Sequence, residues 1–463
     1  MASLRRVADA LVIFGITGDL ARKMTFKALY RLERRGRLQC PIHGVGRQDM
    51  GDDDLRELAR ESIGATVDQP DEDVFAALAE RLHYIPADLT DQGAYDRVAA
   101  AIEGSSDPVF YLEVPPSLFA TIVHGLGQAG VTGNARVIIE KPFGHDVESA
   151  RALAGELREV LREEQILRID HYVAKEPVMD ITYLRFANSM LEPVWNRNYV
   201  SHVQVTLAED FGVEGRGRFY DEVGALRDVV QNHMLQVLAT VAMEPPAGNR
   251  EGSIRDKKLD LFKAVCEADP ERYVRGQYDG YREIDGVARD SATETYAALE
   301  LEIDNWRWSG VPFFLRAGKR MPVNATEVNV VFRRPPRLGV GSGPIPEPNQ
   351  LVFRISPKPG ARVRFLAKRA AVEDFEPADL EVLFEKVPGE DPEPYERLIG
   401  DALEGRTDLF TDEEVVEETW RIVQPLLERP PPVKRYAQGE WGPREAADLT
   451  RGICRWYEPW VPD

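Results

Sequence analysis

Apolar and polar residues alternate along the first part of the chain in a way that predicts strands and helices in turn. Short apolar runs are typical of buried strands, and the stretches between them carry apolar residues at helical spacing. The predicted strands are Asp9–Phe14, Ile42–Val45, Leu82–Ile85, Val109–Val114, Arg136–Glu140 and Ile166–Ile169. The predicted helices are Leu20–Arg35, Ser117–Ala129 and Val147–Glu163, the last with Asp146 as its N-cap. Because strands that alternate with helices form parallel sheets, residues 1–173 are predicted to form an α/β domain with a doubly wound parallel sheet.

From Lys175 onward the pattern changes to longer helices and to strands with few helices between them. The predicted helices are Glu176–Met190, Phe219–Met243 and Thr411–Leu427, the last with Thr411 as its cap. The predicted strands are Val200–Ala208, Ala297–Ile303, Glu327–Arg333, Gln350–Ile355, Val363–Phe365 and Leu380–Phe384. The Pro- and Gly-rich stretch Arg334–Asn349 is predicted to be a loop at a sheet edge. Residues 174–463 are therefore predicted to form an α+β domain built on a large, mainly antiparallel sheet.

The composition restricts the classes of partner. The chain has 463 residues, of which 43% are hydrophobic and 29% charged, enough for domains with sizeable cores. Its 58 basic and 78 acidic residues give a net charge of −20, which disfavours nucleic acid and anionic membranes, because both require basic surfaces. An anionic substrate must then be bound by a local cluster of cations. Cys40, Cys266 and Cys454 are far apart and lack metal-ligand spacing, which predicts a reducing, cytoplasmic setting and no metal site.

A glycine turn follows the first predicted strand. Gly15 and Gly18 flank Ile16 and Thr17, and Asp19 leads into the first predicted helix. A tight turn of this kind lets a pyrophosphate approach backbone N–H groups at a helix N-terminus. The Gly-x-x-Gly spacing is shorter than the usual dinucleotide-binding pattern. From these residues alone, an ordinary strand-to-helix turn is an equal interpretation.

Residues that end the later strands extend the nucleotide hypothesis. Arg47 follows the second strand, where NAD-binding sheets carry an acid for the ribose 2′-hydroxyl; an arginine suits a 2′-phosphate and so favours NADP. Asp49 leaves NAD use open, and a solvated loop arginine is the alternative. Pro115 ends the fourth strand, where a dinucleotide would cross the strand ends. Lys141 follows the fifth strand on the ligand-binding edge of such a sheet, although lysines at strand ends are most often solvated.

A nine-residue run, 168–176, concentrates four different polar functions directly after the last predicted strand. His171, Tyr172 and Lys175 supply three donors that suit a phosphate, and a helical turn would place His171 and Lys175 on one face. Asp170 would point to the other side if it is still in the strand, and a carboxylate there needs another partner, ideally a histidine. The alternative is a solvated strand end held by ion pairs.

A histidine with polar neighbours lies within the predicted long helix. The apolar residues that flank His233 are, by themselves, typical of a histidine satisfied in a protein core. Asp228, Gln231 and Asn232 crowd the same turn, however, and this density of polar groups favours a site.

Four motifs, in this order along the chain, resemble those of the glucose-6-phosphate dehydrogenase family. They are Gly-x-x-Gly-Asp-Leu-Ala at Gly15–Ala21, Glu-Lys-Pro-Phe-Gly at Glu140–Gly144, Arg-Ile-Asp-His-Tyr-Leu-Gly-Lys-Glu at Arg168–Glu176 and Arg-Asp-x-x-Gln-Asn-His at Arg227–His233. Within the third motif only Val173 and Ala174 depart, and the resemblance extends roughly from Leu11 to Trp460. It implies a Rossmann-like N-terminal domain. It also implies oxidation of C1 of D-glucose 6-phosphate to 6-phospho-D-glucono-1,5-lactone with NADP, the first step of the oxidative pentose phosphate pathway.

The resemblance also implies roles for particular residues. His233 is expected to be the general base, Asp170 to orient it, and Lys141 to lie between substrate and nicotinamide. The implied substrate-binding residues are His171, Tyr172 and Lys175 for the phosphate, Glu209 and Asp228 for the sugar hydroxyls, and Lys319. The implied cofactor-binding residues are Gly15, Thr17, Gly18, Asp19, Leu20, Arg47, Pro115 and Lys141.

Other interpretations stay open beside this one. Asn324 stands five places after Lys319, where many family members carry a second basic residue, so the resemblance leaves a distal sugar contact and a second nucleotide site open here. The family implies a homodimer or homotetramer formed through the large sheet. The alternatives are a dehydrogenase that prefers NAD or another sugar phosphate, and a non-catalytic nucleotide-binding sensor. A sensor would be expected to lack His233 or Asp170, and the chain has both.

Overall fold

The computed structural model describes residues 6–248, 252–336, 347–370, 375–384 and 392–460. The chain divides into two compact units. Unit 1 consists of Met1–Lys175, Pro246–Asp256 and Asp391–Glu417, and unit 2 consists of Glu176–Pro245, Lys257–Glu390 and Glu418–Asp463. The predicted domain division at residue 173 does not include the two later segments that belong to unit 1.

Strands and helices alternate in the first part of the chain, and strands predominate in the later part. The strands are β1 (Ala10–Phe14), β2 (Ile42–Gly46), β3 (Leu82–Pro86), β4 (Pro108–Leu112), β5 (Arg136–Ile139), β6 (Ile166–Arg168), β7 (Val200–Ala208), β8 (Tyr273–Tyr278), β9 (Tyr296–Leu301), β10 (Phe313–Gly318), β11 (Ala325–Phe332), β12 (Gln350–Ser356), β13 (Gly360–Lys368), β14 (Phe375–Leu383) and β15 (Lys434–Tyr436). The helices are α1 (Phe26–Arg34), α2 (Asp52–Thr66), α3 (Glu72–Arg81), α4 (Gln92–Ala101), α5 (Phe119–Gln128), α6 (Val147–Arg158), α7 (Glu176–Ala187), α8 (Gly217–Ala225), α9 (Leu235–Ala242), α10 (Ser253–Ala264), α11 (Pro394–Leu403), α12 (Glu413–Glu428) and α13 (Ala446–Leu449). Two π-helical segments, Ala21–Thr25 and Leu226–Met234, precede α1 and α9.

Unit 1 contains a parallel sheet with the strand order β3-β2-β1-β4-β5-β6. Side chains alternate between the two faces of a strand, and both faces of β1 are buried. Leu11 and Ile13 belong to a core cluster that includes residues of α1, whereas Val12 and Phe14 belong to a second cluster with residues of α5. This arrangement confirms the predicted Rossmann-like, doubly wound sheet.

Unit 2 contains a larger sheet with the strand order β14-β13-β12-β11-β7-β10-β9-β8-β15. Two neighbouring pairs, β7 with β10 and β8 with β15, are parallel, and the other neighbours are antiparallel. The prediction of a large, mainly antiparallel sheet is therefore confirmed. The sequence prediction omitted β8, β10 and β15, and it made β13 and β14 too short.

The predicted long helix Phe219–Met243 is wrong, because Gly224 interrupts it. Gly224 has φ 71° and ψ 172°, a conformation that only glycine adopts readily. Glu294 occupies the break: the N–H of Ala225 donates to its backbone oxygen at 3.0 Å, and the N–H of Leu226 donates to its Oε1 at 3.1 Å. The chain then continues as the Leu226–Met234 π-helical segment and α9.

Smaller predictions also need correction. Thr411 is not the residue that caps α12, because the helix begins at Glu413. Its N–H instead donates to the oxygen of Arg168 at 3.1 Å, in an isolated bridge beside β6. Most of the loop predicted at Arg334–Asn349, residues 337–346, lies outside the described residues.

Within the described parts of the chain, no helix is both long and apolar enough to cross a bilayer.

Replacement of Gly224 tests the break in the helix. We expect Gly224→Ala to lower stability by about 1–3 kcal/mol, because alanine is strained in this conformation and its Cβ would lie 2.5 Å from Glu294 Oε1. The control is Gly64→Ala on the exposed surface of α2, where a Cβ meets nothing within 4 Å and should stabilise by about 0.5–1 kcal/mol. Thermal unfolding of the parent and both variants measures these changes. Equal melting temperatures for Gly224→Ala and the parent would contradict the need for glycine at this position.

Candidate active site

The glycine turn after β1 is fixed by its neighbours in the sheet. Gly15 has φ +86°, and a Cβ on it would lie 2.3 Å from the backbone oxygen of Glu113 at the end of β4, so only glycine fits. Its N–H donates to Val45 oxygen at 2.9 Å, and Gly18 N–H donates to Gly15 oxygen at 2.8 Å. The two glycines therefore close a tight turn at the carboxyl edge of the sheet, the edge where a pyrophosphate approaches the backbone in dinucleotide-binding sheets.

The other predicted cofactor residues of the turn lie in the same segment. Thr17 and Leu20 are half-buried, Asp19 is exposed, and Leu20 directly precedes the first π-helical segment. Lys23 lies one helical turn after Asp19, with Nζ 4.0 Å from Oδ2 of this aspartate. The acidic side chain is thus on the solvent side of the turn.

Arg47 is exposed directly after β2, together with Gln48 and Asp49. Its charge acts on Asp88, which follows β3. The pKa of Asp88 is lowered, first by hydrogen bonds from Thr90 and in smaller part by Arg47. Arg47 and Asp88 thus follow neighbouring strands on the carboxyl edge of the sheet, the edge where a 2′-phosphate would need a guanidinium.

Pro115 and Lys141 follow the neighbouring strands β4 and β5. Because the strands are parallel, both residues lie on the edge that carries Gly15. Pro115 is exposed and Lys141 is half-buried. The structure thus brings the predicted cofactor residues of unit 1 to one edge of one sheet.

Two buried carboxylates beside this edge were missed by the sequence predictions. The Oε2 atom of Glu113 is enclosed, and burial raises the pKa of this glutamate to about 8; the Thr25 hydroxyl donates a short hydrogen bond to its Oε1. Glu140 accepts a hydrogen bond from the Tyr111 hydroxyl at 2.7 Å, and burial raises its pKa to about 7. Acidic residues at the ends of otherwise apolar strands are the signal that could have identified them.

The 168–176 run is a series of turns and not a helix. β6 ends at Arg168, so Asp170 is not in the strand, and α7 begins only at Glu176. The prediction that His171 and Lys175 share a helical face is therefore wrong. Asp170 is buried, and its Oδ1 accepts the N–H of Tyr172 at 2.9 Å. This bond fixes the carboxylate against the backbone of the turn.

The phosphate-donor candidates of the run remain close to one another in these turns. Lys175 Nζ lies 3.6 Å from the ring centroid of Tyr172, and the rings of His171 and Tyr172 are 5.6 Å apart. The ring of His171 also stacks on Tyr395, with centroids 6.1 Å apart. Tyr395 hydrogen-bonds to Glu140, so it connects this run to the end of β5. Its position much later in the chain left no local signal.

Within unit 2, His233 lies in the Leu226–Met234 π-helical segment and is buried. Its backbone N–H donates to Asn232 Oδ1 at 2.5 Å, and Asn232 Nδ2 donates to Arg227 oxygen at 3.2 Å. Gln231 Nε2 donates to the Thr419 hydroxyl at 2.9 Å. The polar neighbours of His233 therefore hold an irregular segment in place, and such segments are frequent at functional sites.

Glu209 and Lys319 are brought together beside Tyr220, and the charge of Asp228 also acts on this tyrosine. Lys319 Nζ lies 2.5 Å from Glu209 Oε2 and 5.2 Å from the Tyr220 ring centroid. Burial, and then the charges of Asp228, Glu294 and Glu209, raise the pKa of Tyr220 well above its ordinary value. Lys319 is buried and Glu209 is half-buried, so their ion pair is partly shielded from solvent. Asn324, the departure noted in the sequence, is exposed in the turn before β11.

A doubly wound parallel sheet with a glycine turn at its carboxyl edge places the chain in the class of dinucleotide-binding folds. Two family models match it: the NAD binding domain of glucose-6-phosphate dehydrogenase over residues 12–180, and the C-terminal domain of the same enzyme over residues 182–457. The chain belongs to the glucose-6-phosphate dehydrogenase family.

Individual relatives agree with the family models. Glucose-6-phosphate 1-dehydrogenase 1 of Mycobacterium tuberculosis is 53% identical over 456 residues, which cover 98% of this chain and 97% of the relative. The crystal structure of glucose-6-phosphate 1-dehydrogenase from Mycobacterium avium has a TM-score of 0.91 at 52% identity, covering 98% of this chain and 100% of the other. A glucose-6-phosphate dehydrogenase in complex with glucose-6-phosphate has a TM-score of 0.90 at 32% identity, with coverage of 99% and 100%.

The raised pKa of Glu113 gives a prediction about stability and pH. The ordinary value is 4.5 and the folded value about 8, so the folded protein binds this proton more tightly than the unfolded chain. Stability is therefore lost as pH rises from about 4.5 to 8. Glu113→Gln has no proton to lose. Its free energy of unfolding relative to the parent should rise between pH 5 and pH 8 by an amount on the order of a few kcal/mol, and its relative melting temperature should rise with it.

The matched control is Glu57→Gln, at an exposed position of α2. Melting temperatures of the parent and both variants, recorded in one buffer series, separate the two carboxylates. A Glu113→Gln difference that stays constant across this pH range would contradict a buried, protonated Glu113.

Proposed function

We propose that the protein is a glucose-6-phosphate dehydrogenase that oxidises C1 of D-glucose 6-phosphate to 6-phospho-D-glucono-1,5-lactone and uses NADP as the hydride acceptor. The family match, continuous from residue 12 to residue 457 except for one residue, carries the activity. The choice of NADP is supported by the exposed Arg47 after β2, on the edge that carries the glycine turn. When bound, the nicotinamide ring supplies the hydride acceptor.

His233 is proposed as the general base that takes the proton of the C1 hydroxyl. A neutral imidazole can accept a proton near neutral pH. Asp170 is proposed as the carboxylate that selects the tautomer of this histidine and stabilises its charged form. Support for Asp170 comes from its buried carboxylate, which the N–H of Tyr172 holds in a fixed orientation.

The remaining proposed roles concern binding. His171, Tyr172 and Lys175 hold the 6-phosphate, which lets remote binding energy orient C1. Glu209, Asp228 and Lys319 bind the sugar hydroxyls, a role supported by their arrangement around Tyr220. Lys141 at the end of β5 lies between the sugar and the nicotinamide. The cofactor itself is held by the Gly15–Leu20 turn, Arg47 and Pro115.

The direct test is the absorbance of reduced nicotinamide with glucose 6-phosphate and each cofactor. Preferential turnover with NADP supports the proposal. A preference for NAD would show that NAD, and not NADP, is the hydride acceptor. A panel of other sugar phosphates tests the substrate part. No turnover with any pair would favour a nucleotide-binding sensor.

Association through the large sheet is proposed as well, as a homodimer or homotetramer. Phe365, Leu380 and Val382 share one face of β13 and β14 by register, and they are 44%, 65% and 59% exposed. Apolar side chains grouped in this way favour a protein interface. Light scattering coupled to size-exclusion chromatography measures the mass of the protein in solution and so the number of chains that associate.

A cytoplasmic location is also proposed, in keeping with three cysteines that form no disulfide.

Loss of the proposed base should abolish most turnover. His233→Asn keeps much of the side-chain volume but cannot accept the proton, so kcat should fall about 10²–10⁴-fold while both ligands still bind. Asp170→Asn should also lower kcat, and the double variant should be little worse than His233→Asn, because the two residues act as one unit. Single-turnover rates measure the loss of the chemical step, and ligand titrations measure whether both ligands still bind. A kcat within threefold of the parent would remove His233 as the base.

Loss of the proposed phosphate lysine should weaken substrate binding. A charge-assisted hydrogen bond contributes roughly 1.5–3 kcal/mol, so Lys175→Ala should raise KM for glucose 6-phosphate about 10- to 150-fold with a smaller effect on kcat. Lys257→Ala, which removes an ion pair with Asp260, serves as the control. Steady-state kinetics of the parent and both variants measure KM and kcat. An unchanged KM for glucose 6-phosphate in Lys175→Ala would exclude the phosphate role of Lys175.

Loss of Arg47 should act on one cofactor only. Arg47→Ala should raise KM for NADP about tenfold or more and leave KM for NAD nearly unchanged, because only NADP carries the 2′-phosphate. The control is Arg60→Ala, an exposed arginine of α2 paired with Glu72. Equal losses with both cofactors would show that Arg47 has a structural role.

A further inference from the structure

The segment between β2 and α2, which we call the 47–51 loop, carries Arg47 on its exposed side. Arg47, Gln48 and Asp49 are all exposed, so packing of their side chains does not fix their positions. Long side chains on an exposed loop bind with lower affinity unless the backbone beneath them is held, since ordering it costs free energy. The residues that hold this backbone belong to the neighbouring strand β3.

Tyr84 of β3 contacts the beginning of the loop. Its hydroxyl donates to the backbone oxygen of Gln48 at 3.1 Å. The same hydroxyl lies over Gly46, where an added Cβ would be 2.7 Å from the tyrosine oxygen and 3.5 Å from Thr17 Oγ1. Tyr84 is therefore packed against the residue before Arg47 and bonded to the residue after it. Burial raises the pKa of Tyr84, so the hydroxyl remains a donor at neutral pH.

The same strand holds the other end of the loop. The N–H of Tyr84 donates to Asp52 Oδ1 at 2.7 Å, and His83 Nδ1 lies 3.0 Å from Asp52 Oδ2. Asp52 is the first residue of α2, directly after the loop. Gly51 N–H donates to Asp54 Oδ2 at 2.8 Å and closes the first turn of that helix. β3 thus fixes the backbone on both sides of the exposed residues.

We propose that Tyr84 is a specificity-determining positioning residue, whose hydroxyl holds the 47–51 loop so that Arg47 meets the 2′-phosphate of the cofactor. This inference rests on the proposed role of Arg47. Tyr84 itself does not contact the phosphate in this proposal; it acts through the backbone of Gln48. Its loss should therefore weaken recognition of the 2′-phosphate and leave recognition of the shared adenosine part nearly unchanged.

Tyr84→Phe is the sharpest test, because it removes only the hydroxyl. Calorimetric titration with adenosine 2′,5′-bisphosphate should show affinity reduced about 3- to 10-fold, the factor that one hydrogen bond carries. Titration with adenosine 5′-monophosphate should change less than twofold. In kinetics, KM for NADP should rise by the same factor while KM for NAD and kcat stay within twofold. Tyr30→Phe is the matched control, since its hydroxyl accepts a backbone N–H bond from Asp71 in the same unit.

A second variant tests the contact from the other side. Gly46→Ala places a methyl group 2.7 Å from the Tyr84 oxygen and must displace either the tyrosine or the loop. It should reduce affinity for the bisphosphate at least as much as Tyr84→Phe does. In the Tyr84→Phe background the nearest remaining contacts are 3.5 Å, so Gly46→Ala should then have little further effect. Independent, multiplying losses would overturn the proposal.

The Arg47→Ala variant separates failure of this inference from failure of the proposed function. If Arg47→Ala leaves the ratio of bisphosphate to monophosphate affinity unchanged, the role of Arg47 is wrong. If Arg47→Ala changes this ratio but Tyr84→Phe does not, or if Tyr84→Phe weakens both nucleotides equally, the role of Tyr84 is wrong. Tyr84→Phe added to Arg47→Ala should have no further effect on the ratio.

Discussion

The close packing of Gly15 against the backbone of Glu113 is the constraint on which the nucleotide-binding edge of unit 1 depends. The place where a Cβ would lie is 2.3 Å from the oxygen of Glu113, so β1 and β4 come together where they end only because residue 15 has no side chain. In the strand order 3-2-1-4-5-6, β1 and β4 are the neighbours whose connections leave in opposite directions along the sheet. The crevice that binds dinucleotides in such sheets opens at this point. Arg47, Pro115 and Lys141 follow the ends of β2, β4 and β5 in this sheet, so their positions depend on the same register.

Buried acids beside that edge join parts of unit 1 that are distant in the sequence. A carboxylate in an apolar environment costs free energy unless it is hydrogen-bonded or takes up a proton. Glu113 bonds to Thr25 in the first π-helical segment, and Glu140 bonds to Tyr111 and Tyr395. Because Tyr395 comes from the segment that returns to unit 1 and stacks on His171, the network reaches the proposed phosphate donors. These acids thus hold the end of β5 in one arrangement.

The sequence predicted the parallel sheet well for a physical reason. Strands buried on both faces are continuous apolar runs, as in β1, whose five residues are all buried. The motifs also made Gly15, Asp170 and His233 candidate site residues, because glycine turns and dense polar groups are local features. The break at Gly224 could not be predicted in this way, since it depends on Glu294, which bonds to Leu226 from 68 residues further along the sequence. Tyr395 was missed because its partners, Glu140 and His171, lie far from it in the sequence.

The parallel pair β7 and β10 in the mainly antiparallel sheet of unit 2 has the same consequence as the parallel sheet of unit 1. β7 and β10 run in the same direction, so the residues that follow them emerge side by side. Glu209 follows β7 and Lys319 follows β10. The N–H of Glu209 donates to Gly318 oxygen at 3.0 Å, and the side chains of Glu209 and Lys319 form the part-buried ion pair. Antiparallel neighbours would have placed these two residues at opposite ends of the sheet. A single reversal of strand direction therefore brings a carboxylate and an ammonium together, and both units assemble their proposed binding residues at the carboxyl ends of parallel strands.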